Sequence, residues 1–143
     1  MTPEEILYKI PKEEMPDGLT VSGGEPFAQP EGLLALLEEY RKRYSGDILI
    51  FTGYCLEELE QSDSEVIQKI LKQTDVLIDE VYIENLNDGK GLRGSSNQRI
   101  HIFHEKEKYE DAQNWERKLQ CAILDHYLWL IGIPPTEESK ENE

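Results

Sequence analysis

A chain of 143 residues with 38% hydrophobic residues is enough for one domain with a core of modest size. Thirty acidic residues against fifteen basic ones leave a formal charge of −15, which opposes nucleic acid and anionic membrane surfaces as partners. No apolar run approaches the roughly 18 residues of a membrane helix. The N-terminus lacks the basic and apolar regions of a signal peptide, so the expected compartment is cytoplasmic.

Thr2-Pro3-Glu4-Glu5 has an N-cap threonine, a proline at the first helical position and a glutamate placed to close a capping box, so a short helix starts there. Pro11 and the turn Pro16-Asp17-Gly18 end it, and Leu19 to Val21 form a strand. That strand delivers the backbone to Ser22-Gly23-Gly24-Glu25-Pro26-Phe27, where two glycines permit a tight turn and close approach to a small ligand. From Pro30 to Tyr44, Leu33, Leu37, Tyr40 and Tyr44 share one helical face, with charged residues opposite. Asp47 to Phe51 reads as a buried strand, broken at Thr52-Gly53-Tyr54. Ser62-Asp63-Ser64-Glu65 has the form of a second capping box and opens a helix through Gln73.

Val76-Leu77-Ile78 is a further apolar strand, ending in Asp79. Continuous apolar strands alternating with amphipathic helices indicate an α/β fold with a parallel sheet covered by helices. Glu84 to Asn97 is a polar loop of the kind that carries function on a rigid scaffold. Arg99 to Phe103 returns as a short strand. A long helix is expected from Tyr109 to Ile131, stopped by Gly132 and Pro134-Pro135, followed by a solvated acidic tail.

In open parallel sheets, ligands bind beyond the carboxyl ends of the strands. Ser22 to Glu25, Thr52 to Tyr54 and Asp79 fall there and are expected to converge on one rim. Each also has a plain structural reading: an ordinary tight turn for Gly23-Gly24, and a turn or helix-dipole residue for Asp79. Arg93-Gly94-Ser95-Ser96-Asn97-Gln98-Arg99 reads likewise as a loop that hydrogen-bonds itself. The two cysteines, Cys55 and Cys121, are too few for a disulfide framework. They are also too few for an iron-sulfur cluster, and no metal ligand is assigned. Cys121 is placed as a core residue on the apolar helix. His101, His104 and His126 are not grouped at metal-ligand spacing.

The Leu19 to Phe27 run, together with Arg93 to Ile100, resembles the radical S-adenosylmethionine activating proteins, most closely the activase of anaerobic ribonucleotide reductase. Ile50 to Tyr54 followed by a short helix over Leu56 to Leu59 is similar to a second family segment, and Asp75 to Asp79 to a third. The resemblance runs from Leu19 to His101. It implies that Ser22, Gly23, Gly24, Glu25 and Pro26 line S-adenosylmethionine, the glutamate receiving its methionyl ammonium by charge-assisted hydrogen bonds. Thr52, Asp79, Ser95, Asn97 and Arg99 complete the implied cofactor-binding set, and no catalytic residue is assigned. The family also carries an upstream CxxxCxxC loop holding the cluster whose electron cleaves the cofactor, and this sequence has no such loop. S-adenosylmethionine is therefore the implied cofactor, with a four-iron four-sulfur cluster only if a missing segment or a partner chain supplies it.

The expected organisation is a partial radical-SAM-like α/β domain over 1–104, a C-terminal helical extension over 105–134 and an acidic disordered tail over 135–143. The first part is read as a (β/α) barrel portion lacking its first strand. The apolar C-terminal helix is expected to cover the bared sheet edge or to join a partner chain, with Trp129 as anchor. The implied function is that of a glycyl-radical activase-like protein, incomplete as a single chain because it is split, truncated or degenerate. Its implied partner is a glycyl-radical enzyme or a cluster-bearing chain. Two other readings fit the same residues: a non-enzymatic docking or regulatory module on a remnant fold, and a cluster-free α/β enzyme using the same rim on another small molecule.

Overall fold

The computed structural model describes residues 1–117 apart from Lys12 and Glu14, together with the backbone of two strands over 120–124 and 127–131. Helix α1 (Pro3–Leu7) begins at the expected capping box: the Thr2 hydroxyl accepts from the Glu5 amide, and the Glu5 carboxylate accepts from the Thr2 amide. There follow β1 (Gly18–Val21), a 3-10 turn (Pro26–Ala28), α2 (Pro30–Arg43) and β2 (Asp47–Phe51). The chain continues through α3 (Leu56–Glu60), α4 (Glu65–Gln73), β3 (Val76–Asp79), a second 3-10 turn (Glu84–Leu86), β4 (Arg99–Ile102) and α5 (Lys106–Tyr109).

The main sheet has the order β1-β2-β3-β4. β1, β2 and β3 run parallel, with Val21 opposite Ile50 and Phe51 opposite Ile78. β4 returns antiparallel to β3, pairing Asp79 with Arg99, so the sheet is mixed and not wholly parallel. Period-two alternation sends Ile48, Ile50 and Leu77 to one face, where Leu7, Leu37, Tyr40 and Ile70 of α1, α2 and α4 bury them. Leu49, Val76 and Ile78 point to the other face, against Tyr109 and Ala112. Both faces of the central strands are covered, which is why β2 and β3 read as unbroken apolar runs.

Asp75, just before β3, ties these layers together. Its carboxylate accepts from the Ile48 amide at 2.7 Å and the Arg41 guanidinium at 2.7 Å, with His104 Nδ1 at 3.1 Å. Its carbonyl accepts from the amides of Phe103 and His104. One buried residue thus joins α2, β2, β3 and the end of β4.

Three expectations change. The helix over Tyr109 to Ile131 is not formed: after α5 and a 3-10 turn (Ala112–Asn114), strands β5 (Gln120–Leu124) and β6 (Tyr127–Ile131) pair antiparallel. The second half of that stretch, Ala122 to Ile131, is apolar on most sides and has no clear 3.6-residue stripe to separate helix from strand, and Tyr127-Leu128-Trp129-Leu130-Ile131 is aromatic and β-rich. The polar pair Asp125-His126, standing between two short apolar runs, has the spacing of a hairpin. The expected C-terminal helix is thus a pair of strands, and Cys121 lies on the first of them. Secondly, the cap of α4 is Ser64, whose hydroxyl accepts from the Ile67 amide, while Ser62 receives the Ser64 amide. Thirdly, β4 makes the sheet mixed. The side chain of Trp129, the residue His126 and the tail 135–143 lie outside the described residues.

Asp75→Ala removes a buried acceptor that serves three elements. It is expected to lower the free energy of unfolding by about 3 kcal/mol, read by denaturant titration with an unchanged slope.

Candidate functional site

The carboxyl ends of β1, β2 and β3 open on a cavity of about 690 Å³. β1 contributes Thr20, and the turn after it Ser22, Gly23, Gly24 and Glu25; β2 and its end contribute Phe51, Thr52 and Gly53. Glu80, Val81 and Tyr82 follow β3, and Gly94 and Gln98 belong to the loop before β4. Gly23 and Gly24 take φ of 77° and 51°, and a Cβ on either would meet nothing within 4 Å. Backbone conformation, not crowding, requires glycine at both positions, and their main chain faces open space.

Glu25 organises this turn. Its Oε1 accepts from the Thr52 hydroxyl at 2.7 Å and the Phe27 amide at 3.0 Å, and its Oε2 from the Gly53 amide at 2.8 Å. Three donors hold the carboxylate, and an ionised carboxylate has about four acceptor sites, so Oε2 retains capacity for a further donor. Among the described residues, no lysine, arginine or histidine lines the cavity. The cavity presents two glutamates, exposed glycine backbone and the rings of Phe51 and Tyr82, a lining that favours a cationic ligand with an apolar or aromatic body.

The remaining expected residues stand behind this surface. Pro26 starts the 3-10 turn capped by Glu25. Asp79 is fully buried: Oδ1 accepts from Arg99 Nε at 3.1 Å, and Oδ2 from Arg99 Nη2 at 2.5 Å and the Leu56 amide at 2.7 Å. His101 Nε2 is 3.1 Å from the same oxygen but off the line of a hydrogen bond. Arg99 also grips Glu57 through two bonds, of 2.8 and 2.6 Å. Ser95 is buried, donating to Asn97 Oδ1 and accepting from the Ile83 amide, and Asn97 donates to the Val81 carbonyl. Asp79, Ser95, Asn97 and Arg99 thus shape the elements that carry the cavity wall without lining it. Tyr54, in the second expected rim group, donates its amide to Thr52 Oγ1 and is not a lining residue.

Sequence reading misses Glu80, Val81, Tyr82 and the part played by Gln98. Gln98 Oε1 accepts from the amides of Gly94 and Ser95, and its Nε2 donates to the Glu80 carbonyl. Glu80 stands at φ 73°, a left-handed conformation uncommon outside glycine, directly at the strand end. Its position immediately after a strand-terminal aspartate was the available signal.

The matching family model, a 4Fe-4S single cluster domain, spans residues 1–101. The chain belongs to this family. Among its relatives, the anaerobic ribonucleoside-triphosphate reductase-activating protein of Vibrio cholerae is 40% identical over 91 residues, 60% of this chain and 56% of that protein. The protein of the same name from Enterobacteria phage T4 is 37% identical over 86 residues, 58% of this chain and 51% of its own. The isethionate sulfite-lyase activating enzyme of Nitratidesulfovibrio vulgaris is 37% identical over 106 residues, 69% of this chain and 32% of that enzyme. The chain spans about half the length of the activating proteins that it matches. No solved structure matches it.

The cluster that the family name describes does not fit the described residues. Among them no group of three His, Cys, Asp or Glu side chains is placed to hold a metal ion, and Cys55 is the cysteine whose side chain is described. Partial burial and the carboxylates of Glu58, Glu80 and Asp79 push the Cys55 thiol up, against the thiolate that a cluster ligand must be. Among the described residues no helix is long and apolar enough to cross a membrane.

Two outcomes follow from this geometry. Anaerobic reconstitution of the chain on its own, read by iron and sulfide analysis, is expected to give less than one cluster per chain; full incorporation would restore Cys55 as a ligand. The second concerns acid. Burial raises the Asp79 carboxyl, but Arg99, the Leu56 amide and His101 outweigh it and hold the group below the usual carboxylate range, and Arg99 holds Glu57 at about 2. Folded values below unfolded ones of about 4 mean that this stabilisation is fully present above about pH 5 and is lost progressively as the pH falls through about 2. Arg99→Ala should therefore flatten the dependence of stability on pH in that window, measured by urea titration at successive pH values.

Proposed function

We propose that this chain carries the S-adenosylmethionine-binding part of a radical S-adenosylmethionine activase for a glycyl-radical enzyme of the anaerobic ribonucleotide reductase type. The observation that carries the reading is the lining of the strand-end cavity: paired left-handed glycines, a pre-positioned Glu25 and, among the described residues, no basic side chain. Its volume lies within the range of about 300–1,000 Å³ typical of small-ligand sites. The names of the relatives support the same reading. Under it, residues 1–104 form part of a (β/α) barrel, and the chain works in the cytoplasm beside a glycyl-radical partner.

In this site Glu25 Oε2 receives the ligand's ammonium, its orientation already set by Thr52 and Gly53. Gly23 and Gly24 let the main chain approach the ligand, and Phe51 and Tyr82 offer apolar walls to its nucleoside. Asp79, Ser95, Asn97 and Arg99 act from behind, holding α3 and the loop before β4 in place. When bound, S-adenosylmethionine supplies a sulfonium centre open to reductive cleavage. The described residues offer no thiolate set for the cluster that this chemistry requires, so the cluster comes from another segment or another chain.

Calorimetric titration with S-adenosylmethionine tests the reading. Wild type is expected to bind, Glu25→Ala to lose at least about ten-fold in affinity, and Thr52→Val, which loosens the carboxylate without removing it, to lose less. Equal titration curves for wild type and Glu25→Ala would rule the site out.

A further inference from the structure

The Gly94 and Gln98 side of the cavity is held by residues that lie beyond the family match at 1–101. After α5 the chain returns along the polar loop. The Gly91 amide donates to the Trp115 carbonyl at 2.7 Å, the Leu92 amide to the Ala112 carbonyl at 2.9 Å, and Lys90 bridges Glu116 in antiparallel fashion. Gly91 sits at φ 72°, and a Cβ there would run into the backbone of Ala112 and Gln113, so strap and loop meet main chain to main chain.

Arg117 ends this strap, and its guanidinium is spent on the loop. Nε donates to the Gly91 carbonyl at 3.3 Å and Nη1 to Asn87 Oδ1 at 2.5 Å. Nη2 donates to the carbonyls of Lys90 at 3.1 Å, Arg93 at 2.5 Å and Gly94 at 3.0 Å. A planar fork with five donors serves such a ring of oxygens, whereas an ammonium is a compact point charge with three. The Gly94 peptide carries the effect onward. Its carbonyl is held by Arg117, its amide donates to Gln98 Oε1 at 2.8 Å, and a Cβ on it would fall 2.8 Å from the Tyr82 ring. Gln98 in turn donates to the carbonyl of Glu80. Gly94, Gln98, Tyr82 and Glu80 all line the cavity.

We propose that Arg117 is a positioning residue for the strand-end cavity: by holding the carbonyls of Arg93 and Gly94 it sets the wall against which a bound S-adenosylmethionine packs. The role rests on the S-adenosylmethionine reading of the cavity. It gives the segment after β4 a function at the site, although none of that segment's described residues lines the cavity.

The test titrates S-adenosylmethionine into the full chain as wild type, Arg117→Ala and Arg117→Lys, with amide hydrogen exchange over residues 87–98 measured on the same samples. Wild type is expected to bind, and both variants to bind about ten-fold or more weakly. Exchange at Gly94 and Ser95 should quicken while the amides of β2 and β3 keep their protection. Methylguanidinium should restore binding and protection to Arg117→Ala. Unchanged affinity in Arg117→Ala, exchange that quickens equally through the sheet, or no rescue by methylguanidinium overturns the proposal. A wild type that does not bind S-adenosylmethionine overturns the cavity reading instead, and with it the ligand half of the proposal; the clamp is then decided by the exchange and rescue at Gly94 and Ser95.

Discussion

A single carboxylate joins the ends of two parallel strands, and the cavity depends on it. Glu25 accepts from Phe27, Thr52 and Gly53, so the turn after β1 is fastened both to itself and to the end of β2. Consecutive glycines lose more backbone freedom on ordering than any other pair. Gly23-Gly24 therefore needs an anchor close by, and Glu25 is the next residue. The same group keeps acceptor capacity on the cavity side, so the anchor and the proposed ligand contact are one carboxylate.

β3 extends this logic through the sheet with an acid at each end. Asp75 gathers the Ile48 amide, Arg41 and His104 before the strand, and Asp79 gathers the Leu56 amide and Arg99 at its close. A buried carboxylate is costly unless its donors are in place. A slip of β3 by one residue would strand both carboxylates and turn the apolar side chains to the wrong faces. Register is thus specified twice, and the carboxyl ends of β1, β2 and β3 stay level enough to share one cavity. Arg99 adds the antiparallel β4 to this arrangement, and its second bond pair, to Glu57, fixes α3 beside it.

Family membership and donor chemistry are separate facts in this molecule. The chain belongs to a 4Fe-4S single cluster domain family, yet its described residues provide strand ends, glycines and carboxylates and no set of thiolates. The relatives are activating proteins of which this chain spans about half. What the matched region builds is a strand-end cavity lined by glycine backbone, two glutamates and aromatic rings.

Local chemistry made much of this legible in advance. The capping box at Thr2, the glycine turn at Gly23-Gly24, the stripe of α2 and the apolar strands β2 and β3 are each set by neighbours in sequence, so composition and period reveal them. The segment from Tyr109 to Ile131 defeated the same reasoning because its second half, apolar on most sides, satisfies helix and strand alike, and only the pairing of 120–124 with 127–131 decides between them. The direction of β4 was likewise open, being a matter of which edge the returning chain meets. The site divided in the same way. Glu25 and the glycines announce themselves within one short motif. That Asp79, Ser95, Asn97 and Arg99 stand behind the cavity, that Glu80, Val81 and Tyr82 line it, and that Arg117 reaches back to the 87–94 loop depend on contacts between residues far apart in the chain. The sequence by itself determined the elements and the turn that can approach a ligand, because those follow from local backbone preference. Tertiary structure alone decided which polar side chains face the cavity and which are spent holding it, because that is settled by which long-range donor reaches each buried acceptor first.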